Sequence, residues 1–329
     1  MKIARRVLSA VAALTLATCA YGFGLQGHKA IAEAARMSHT LSAQSRAAIK
    51  QIIGNDDLAA IATWADEVRD VMRDTGPLVQ DKNSPAYEEA ARFIKDFPDN
   101  PSWHFVNLPL GSTTYDANGP FAGKEDIVHK INDCIAILEG QTSKMTRAQA
   151  LRFLVHLVGD IHQPLHVGTG FYRFDRKGQS PMLVRDPNEV TSAMRNDRGG
   201  NLLFYTDENE LHGYWDTVLV SQIAGPNYMH LAKFLSAVAG KNSHAWESKG
   251  DYRQWAAQWA TESAKEANHV YDTRIKFGAV TYEDKKLKSI RIELPGDYQA
   301  AQLEREVVQL AKAALHLVQL LNQIKWVNK

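Results

Sequence analysis

The chain has 329 residues, 45% hydrophobic and 23% charged, with 38 basic and 37 acidic side chains. That composition suits a globular protein with a sizeable core, and the even charge balance excludes the basic footprint expected of a duplex-DNA binder. Two cysteines exclude a disulfide framework.

The first element is not part of the fold. MKIARR is basic, and VLSAVAALTLATCA is an apolar run too short to span a bilayer, followed by small residues. Residues 1–22 therefore read as a secretory signal peptide, and export would leave the protein periplasmic or extracellular. Cleavage after Ala20 and after Gly22 both satisfy the small-residue rule, and the second leaves Phe23 as the new N-terminus. Leu16-Ala17-Thr18-Cys19 is a poor lipidation signal, because Thr before the Cys is atypical. Losing Lys2, Arg5 and Arg6 leaves 35 basic against 37 acidic residues, a formal charge of −2. Charge to bind phosphate must then come from something bound. No later stretch is long and apolar enough to cross a membrane.

Helical periodicity follows in residues 27–37, 41–53, 59–74, 124–140, 146–160, 252–271 and 300–325. Extended candidates are short: HFVNLPL at 104–110 and NLLFYTD at 201–207. Pro and Gly mark loops near 76–84, 96–120, 168–187 and 197–200. With no repeat and no clear linker, the simplest architecture is one all-α domain over 23–329 with few short strands. Cys134, in the apolar pattern KINDCIAIL, reads as core.

Residues 156–166, HLVGDIHQPLH, concentrate ligand chemistry. His156 and Asp160 lie four apart on one helical face. Pro164 lacks an N–H and drives Gln163 out of the helical region, so the helix stops near Ile161 or His162. His166 then lies beyond the break, where the chain can turn back. HGYWD repeats the spacing with His212 and Asp216. A single His beside apolar residues is more often a satisfied core residue, but a buried Asp is expensive without a cation or hydrogen bonds. A metal meets the needs of both residue types, and imidazole with carboxylate and no thiolate suits hydrolytic zinc. His28, Asp66 and His104 are further candidates, each weak alone.

FGLQGH, WADEVR, WHFVN, HLVGDIHQPLHVG, DRGGN and LHGYWD occur in the order seen in the zinc-dependent class I nucleases, and the chain resembles that family from Phe23 to about Asp216. These are single-strand nucleases and 3′-nucleotidases; the zinc phospholipases C are distant relatives with the same trinuclear site. The resemblance implies a helical domain of that type, acting as a monomer, with three zinc ions. Asp66, His104, His156 and Asp160 would hold the first, and His166, His212 and Asp216 the second. Asp160 would bridge to the third, held by His28 and by the amine and carbonyl of a mature Phe23. The family usually has Trp there, but only the backbone binds. His162 is not a ligand in this pattern and is left to packing or hydrogen bonding. Asp66 would orient the nucleophile and Arg69 clamp the phosphate, although Arg69 also reads as a surface ion pair. Phe105 would stack on an unpaired base, with Asn107 and Asn201 as further substrate contacts. Single-stranded DNA, RNA and nucleotides are the implied substrates, with 5′-phosphate products. A lipid phosphodiesterase and a non-catalytic zinc-binding protein are the alternatives. The segment between His166 and DRGGN looks longer than usual and carries Arg173, Arg176, Lys177, Arg185 and Arg195. It reads either as a solvated loop or as an added backbone-contacting loop.

Overall fold

The computed structural model describes residues 23–225 and 227–327; the expected signal segment, its alternative cut sites and Cys19 lie outside the described residues. Its helices are α1 (Gly24–Met37), α2 (Ala43–Ile53), α3 (Leu58–Ile61), α4 (Trp64–Met72), α5 (Pro85–Asp96), α6 (Ile127–Leu138), α7 (Arg147–Asp160), α8 (Leu211–Gly213), α9 (Val220–Ala224), α10 (Tyr228–Trp246), α11 (Trp255–Val270) and α12 (Tyr298–Gln323). A π-helical turn, Tyr214–Leu219, joins α8 to α9.

Local chemistry sets several of these boundaries. Thr146 and Gln149 form a reciprocal capping box that starts α7. Asp126 accepts from two N–H groups at the start of α6, and Ser84 caps α5 with Pro85 at its first position. α7 is apolar on nearly all sides and is accordingly buried, with Leu151, Leu154, Leu157 and Val158 in the main core. Each such side chain contributes roughly 1.5–3 kcal/mol on burial. α6 packs on α7, and α1 packs on α10 and α12. α7 therefore ends deep in the protein, and the residues at its C-terminus can serve a buried site.

Three small sheets complete the fold. β1 (Leu108–Pro109) pairs in parallel with β2 (Gly168–Thr169). β3 (Phe171–Phe174) lies between β4 (Pro181–Val184) and β5 (Arg195–Asn196). β6 (Leu203–Phe204) pairs with β8 (Lys286–Glu293), which pairs with β7 (Lys276–Glu283). A second apolar cluster, including Leu203, Leu211, Trp215, Tyr271, Ile290 and Tyr298, joins this last sheet to the helices.

The chain is mostly helical, as expected, but not purely so. The β7–β8 hairpin has two eight-residue strands that the sequence reading did not contain. Its turn residues Asp284 and Lys285 take φ of 50° and 64° without a glycine, so the usual turn signal is missing. The expected loop at 168–187 contains β2, β3 and β4, and α5 and α10 were not anticipated. The helix expected over 59–74 is interrupted at Ala62 and Thr63. α7 stops at Asp160 and Gln163 is extended (φ −79°, ψ 115°), as Pro164 requires. Cys134 is buried in the core, and burial pushes its thiol pKa up. Among the described residues no helix is long and apolar enough to cross a membrane.

Candidate metal centre

Asp160, the last residue of α7, is the point on which the site converges. Its carboxylate lies 3.2 Å from His28 Nε2, 2.8 Å from His104 Nδ1, 3.1 Å from His156 Nε2 and 3.8 Å from His166 Nδ1. Asp66, on α4, places Oδ1 3.7 Å from His156 Nε2 and 4.0 Å from His104 Nδ1. On the other side His212 Nε2 lies 3.3 Å from Asp216 Oδ2 and 3.2 Å from His166 Nε2. All eight of these side chains are buried.

The backbone aims the imidazoles. His156 Nδ1 donates to the Ala62 carbonyl at 2.8 Å, so the break between α3 and α4 serves the site. His166 Nδ1 donates to His104 O, and His212 Nδ1 to Gly199 O, each at 2.7 Å. Each bond holds Nδ1 as the donor and turns Nε2 toward the centre, the arrangement found around metal-binding histidines. Gly199 must be glycine: its φ is +61°, and an added Cβ would lie 2.0 Å from the Leu165 carbonyl. Asp216 lies in the π-helical turn, where Oδ1 accepts from Gln163 Nε2 at 2.8 Å and from the Phe23 backbone N–H at 3.1 Å.

Hydrogen bonding ends short of satisfying the centre. His104 Nε2, His156 Nε2 and Asp216 Oδ2 are fully buried and make no hydrogen bond in the protein. Such orphaned groups cost about 1–3 kcal/mol each unless something occupies the space between them. The electrostatics differ from ring to ring: burial opposes charge on His156, but Asp160 and Asp66 outweigh it and raise its pKa to about 9. Burial pulls His104 down to about 4 and His212 to about 3, so both are neutral bases at ordinary pH. Burial opposes charge on Asp160 as well, but His156 and His166 hold its carboxyl well below the usual range. Asp216 is pushed well above that range, by burial first and then by Asp160 and Asp66. Three carboxylates in one buried space call for positive charge.

Among the described residues, three groups have ligand atoms all within 4.8 Å of one another: His28, Asp66 and His156; His104, His156 and Asp160; His166, His212 and Asp216. Nitrogen and oxygen donors without thiolate fit hydrolytic zinc. The structure thus brings together the side chains expected around the first two ions. It seats His28 against Asp160 and stacks its ring on His156 at 3.9 Å. The Phe23 backbone nitrogen lies on Asp216, within the same cluster. His162 turns elsewhere: Nδ1 donates to Val158 O at 2.8 Å, and Nε2 lies 2.6 Å from His316 Nδ1.

A cleft of about 640 Å³ opens over the centre, lined by Arg69, Arg73, His166, Arg198, Asn201 and His212 among others. Arg69 is no surface ion pair: it is buried, with Nη2 2.8 Å from Asp66 Oδ1, so it brings positive charge to the cleft floor. Phe105 is 38% exposed and forms a wall shared by the cleft and a neighbouring hollow of about 600 Å³. Asn107 lines both spaces, and its Oδ1 accepts from Thr169 Oγ1. Asn201 lines the cleft, and its Nδ2 donates to the Arg198 carbonyl.

Sequence reasoning missed Gln163, Arg73, Arg198 and Asp197. Gln163 was legible only as the residue before a proline. Asp197 is a buried carboxylate in DRGGN that accepts from Gly170 N–H, Gly200 N–H, Tyr172 Oη and Tyr271 Oη. It braces the loop whose Gly199 carbonyl orients His212.

Comparison with known proteins adds a further finding. A family model described as S1/P1 Nuclease matches residues 23–325. The chain is 29% identical over 233 residues to Nuclease S1 of Aspergillus oryzae, an alignment covering 68% of this chain and 63% of that relative, under two thirds of its length. It is 23% identical over 311 residues to Nuclease P1 of Penicillium citrinum, covering 87% and 97%. Endonuclease 3 of Arabidopsis thaliana is 23% identical over 267 residues, covering 78% and 74%.

Proposed function

The chain belongs to the S1/P1 nuclease family, and from that premise we propose an exported, monomeric zinc phosphodiesterase that cleaves single-stranded DNA and RNA to 5′-phosphate products and removes 3′-phosphates from nucleotides. Asp160 carries the reading: one buried carboxylate lies within 4 Å of four imidazoles, two of which, His156 and His166, are held by backbone carbonyls. Asp66, His104, His156 and Asp160 would hold one zinc, His166, His212 and Asp216 a second, and Asp160, His28 and a mature Phe23 terminus a third. When bound, the three ions supply Lewis-acid charge for the phosphate and make water acidic enough to lose a proton near neutral pH.

The protein's own groups do the rest. Asp66 accepts a hydrogen bond from the attacking water and so aims it. Arg69, buried beside it, donates to a phosphate oxygen in a site where charge is poorly screened. Phe105 stacks on a base. Only an unpaired base can reach its face, and this explains single-strand preference without a basic duplex groove. Cleavage after Gly22 belongs to the same reading, since any preceding residue turns the Phe23 amine into an amide. The domain boundary 23–329 and the zinc phospholipase C type of fold are parts of it too.

The test is digestion of single-stranded DNA, RNA, duplex DNA and phosphatidylcholine, before and after chelation and zinc return. Zinc-dependent loss of the single strands with phosphatidylcholine intact supports the reading. Lipid hydrolysis without strand cleavage assigns a lipid phosphodiesterase, and zinc binding with no hydrolysis leaves a binding protein.

A further inference from the structure

The long segment after His166 builds a second feature beside the cleft. β3 and β4 form a hairpin whose turn carries Arg176 and Lys177. The turn of β7–β8 carries Lys285, and Tyr282 Oη donates to the Gly178 carbonyl at 2.6 Å, tying the two turns together. Between them lies an open groove of about 1080 Å³. Arg173, Arg176, Lys177, Arg195 and Lys285 line it against one acid, Asp175.

Asp175 keeps its negative charge, but its carboxylate accepts from the Gln179 and Ser180 N–H groups in the turn and makes no ion pair with these cations. Arg173 pairs with Glu189 at 3.2 Å. Among the described residues Arg176, Lys177, Arg195 and Lys285 form no ion pair. The groove thus gathers four cations that make no ion pair around a single acid, a repulsive arrangement that a polyanion relieves. Two rings stand among them. The Arg195 guanidinium lies 5.8 Å from the Phe174 ring centre and 5.5 Å from that of Tyr282, which is 37% exposed.

The position of the groove matters as much as its charge. β5 is an edge strand of two residues, and it divides the two spaces. Arg195 lines the groove and Asn196 lines the cleft over the metal centre. Successive strand residues point to opposite faces, so β5 is a narrow ridge between them.

We propose that this groove is an accessory site for the phosphates of a single-stranded substrate beyond the bond being cut. A strand held at the centre crosses β5 and lays its next phosphodiesters on Arg176, Lys177, Arg195 and Lys285, with Tyr282 offering a face to a base. The assignment rests on the single-strand nuclease reading above.

The experiment compares the zinc-loaded protein with its Arg176→Glu, Lys177→Glu, Lys285→Glu triple variant on a dinucleotide and on a long single-stranded oligonucleotide, across a salt series. The variant should raise KM for the oligonucleotide about tenfold or more. Its log–log salt slope should flatten by about 2, since each single-strand phosphate contact contributes about 0.7. Dinucleotide hydrolysis should not change. Equal KM and slope in the two proteins overturn the proposal, and so does an equal loss on both substrates, which places the damage in the cleft. Retention of the parent protein by phosphatidylglycerol vesicles, lost in the variant while oligonucleotide kinetics stay the same, overturns it in favour of a lipid surface. If the parent protein cleaves neither substrate, the nuclease reading fails instead, and fluorescence anisotropy of the labelled oligonucleotide still tests the groove: equal Kd in the two proteins overturns it.

Discussion

Asp160 and Asp197 are both fully buried carboxylates, yet their surroundings differ in kind. Asp197 accepts from two backbone N–H groups and two tyrosine hydroxyls, at 2.7–3.2 Å, and both of its oxygens are satisfied. Asp160 faces imidazoles, and next to it His104 Nε2 and His156 Nε2 are buried without making a hydrogen bond. A buried carboxylate that the protein satisfies itself is part of the framework. One surrounded by oriented but unsatisfied donor atoms marks the seat of a cation. The framework carboxylate serves the centre through the DRGGN loop, where Asp197 braces the turn and Gly199 O orients His212.

The largest separation should come from the two carboxylates themselves. Asp160→Asn should lower turnover by about 10³-fold or more, the scale of losing charge stabilisation at the reacting phosphate, and should reduce bound zinc. Asp197→Ala should leave two tyrosine hydroxyls and the Gly200 N–H without an acceptor, while the Gly170 N–H keeps only Tyr271 Oη. It should cost about 3–5 kcal/mol of stability, measured by denaturant unfolding with and without chelator. If Asp197→Ala lowers zinc content as much as Asp160→Asn does, the distinction collapses.

Next comes Gly159→Ala. A Cβ there would lie 2.7 Å from His28 Nδ1 and 2.8 Å from its Cε1, in the middle of the cluster. His28 must shift, and activity should fall about 10–100-fold with loss of zinc from one position only. Unchanged zinc content, read by elemental analysis, would remove His28 from the centre.

The pH response sharpens the comparison from the framework side. Burial raises Asp197 to about 6, against the hydrogen bonds from Gly200 and Tyr172 that favour its charged form. As pH rises, the unfolded chain loses this proton near 3.8 and the folded chain only near 6. Between those values the unfolded state binds fewer protons, so stability falls with rising pH and then levels off. Asp197→Asn should abolish that decline, worth about 2–3 kcal/mol, in urea titrations at pH 4 and pH 7. A parent protein with no decline between those two values would contradict the assignment. The smallest effect is Phe105→Ala, about 1–3 kcal/mol in binding of a single strand, with zinc content intact. An unchanged KM would reduce Phe105 to packing.

What the sequence disclosed was local. The four-residue spacing of His156 with Asp160, and of His212 with Asp216, shows on any helix, and Pro164 marks where α7 must stop. The partners that finish the site come from far along the chain. Tyr172 and Tyr271 reach Asp197 across 25 and 74 positions. Ala62 O meets His156 across 94, through a helix break that WADEVR does not announce. The π-helical turn around Asp216 and the glycine-free turn of β7–β8 depend on packing rather than on residue type, so periodicity alone passes over both.

Zinc stoichiometry measured together with turnover is the most direct test of the central claim that these orphaned atoms are the seats of metal ions. A purified chain starting at Phe23 should hold close to three zinc ions, lose its hydrolysis of single-stranded DNA on chelation and recover it when zinc is returned. A verified metal-free sample that cleaves at the full rate would contradict it.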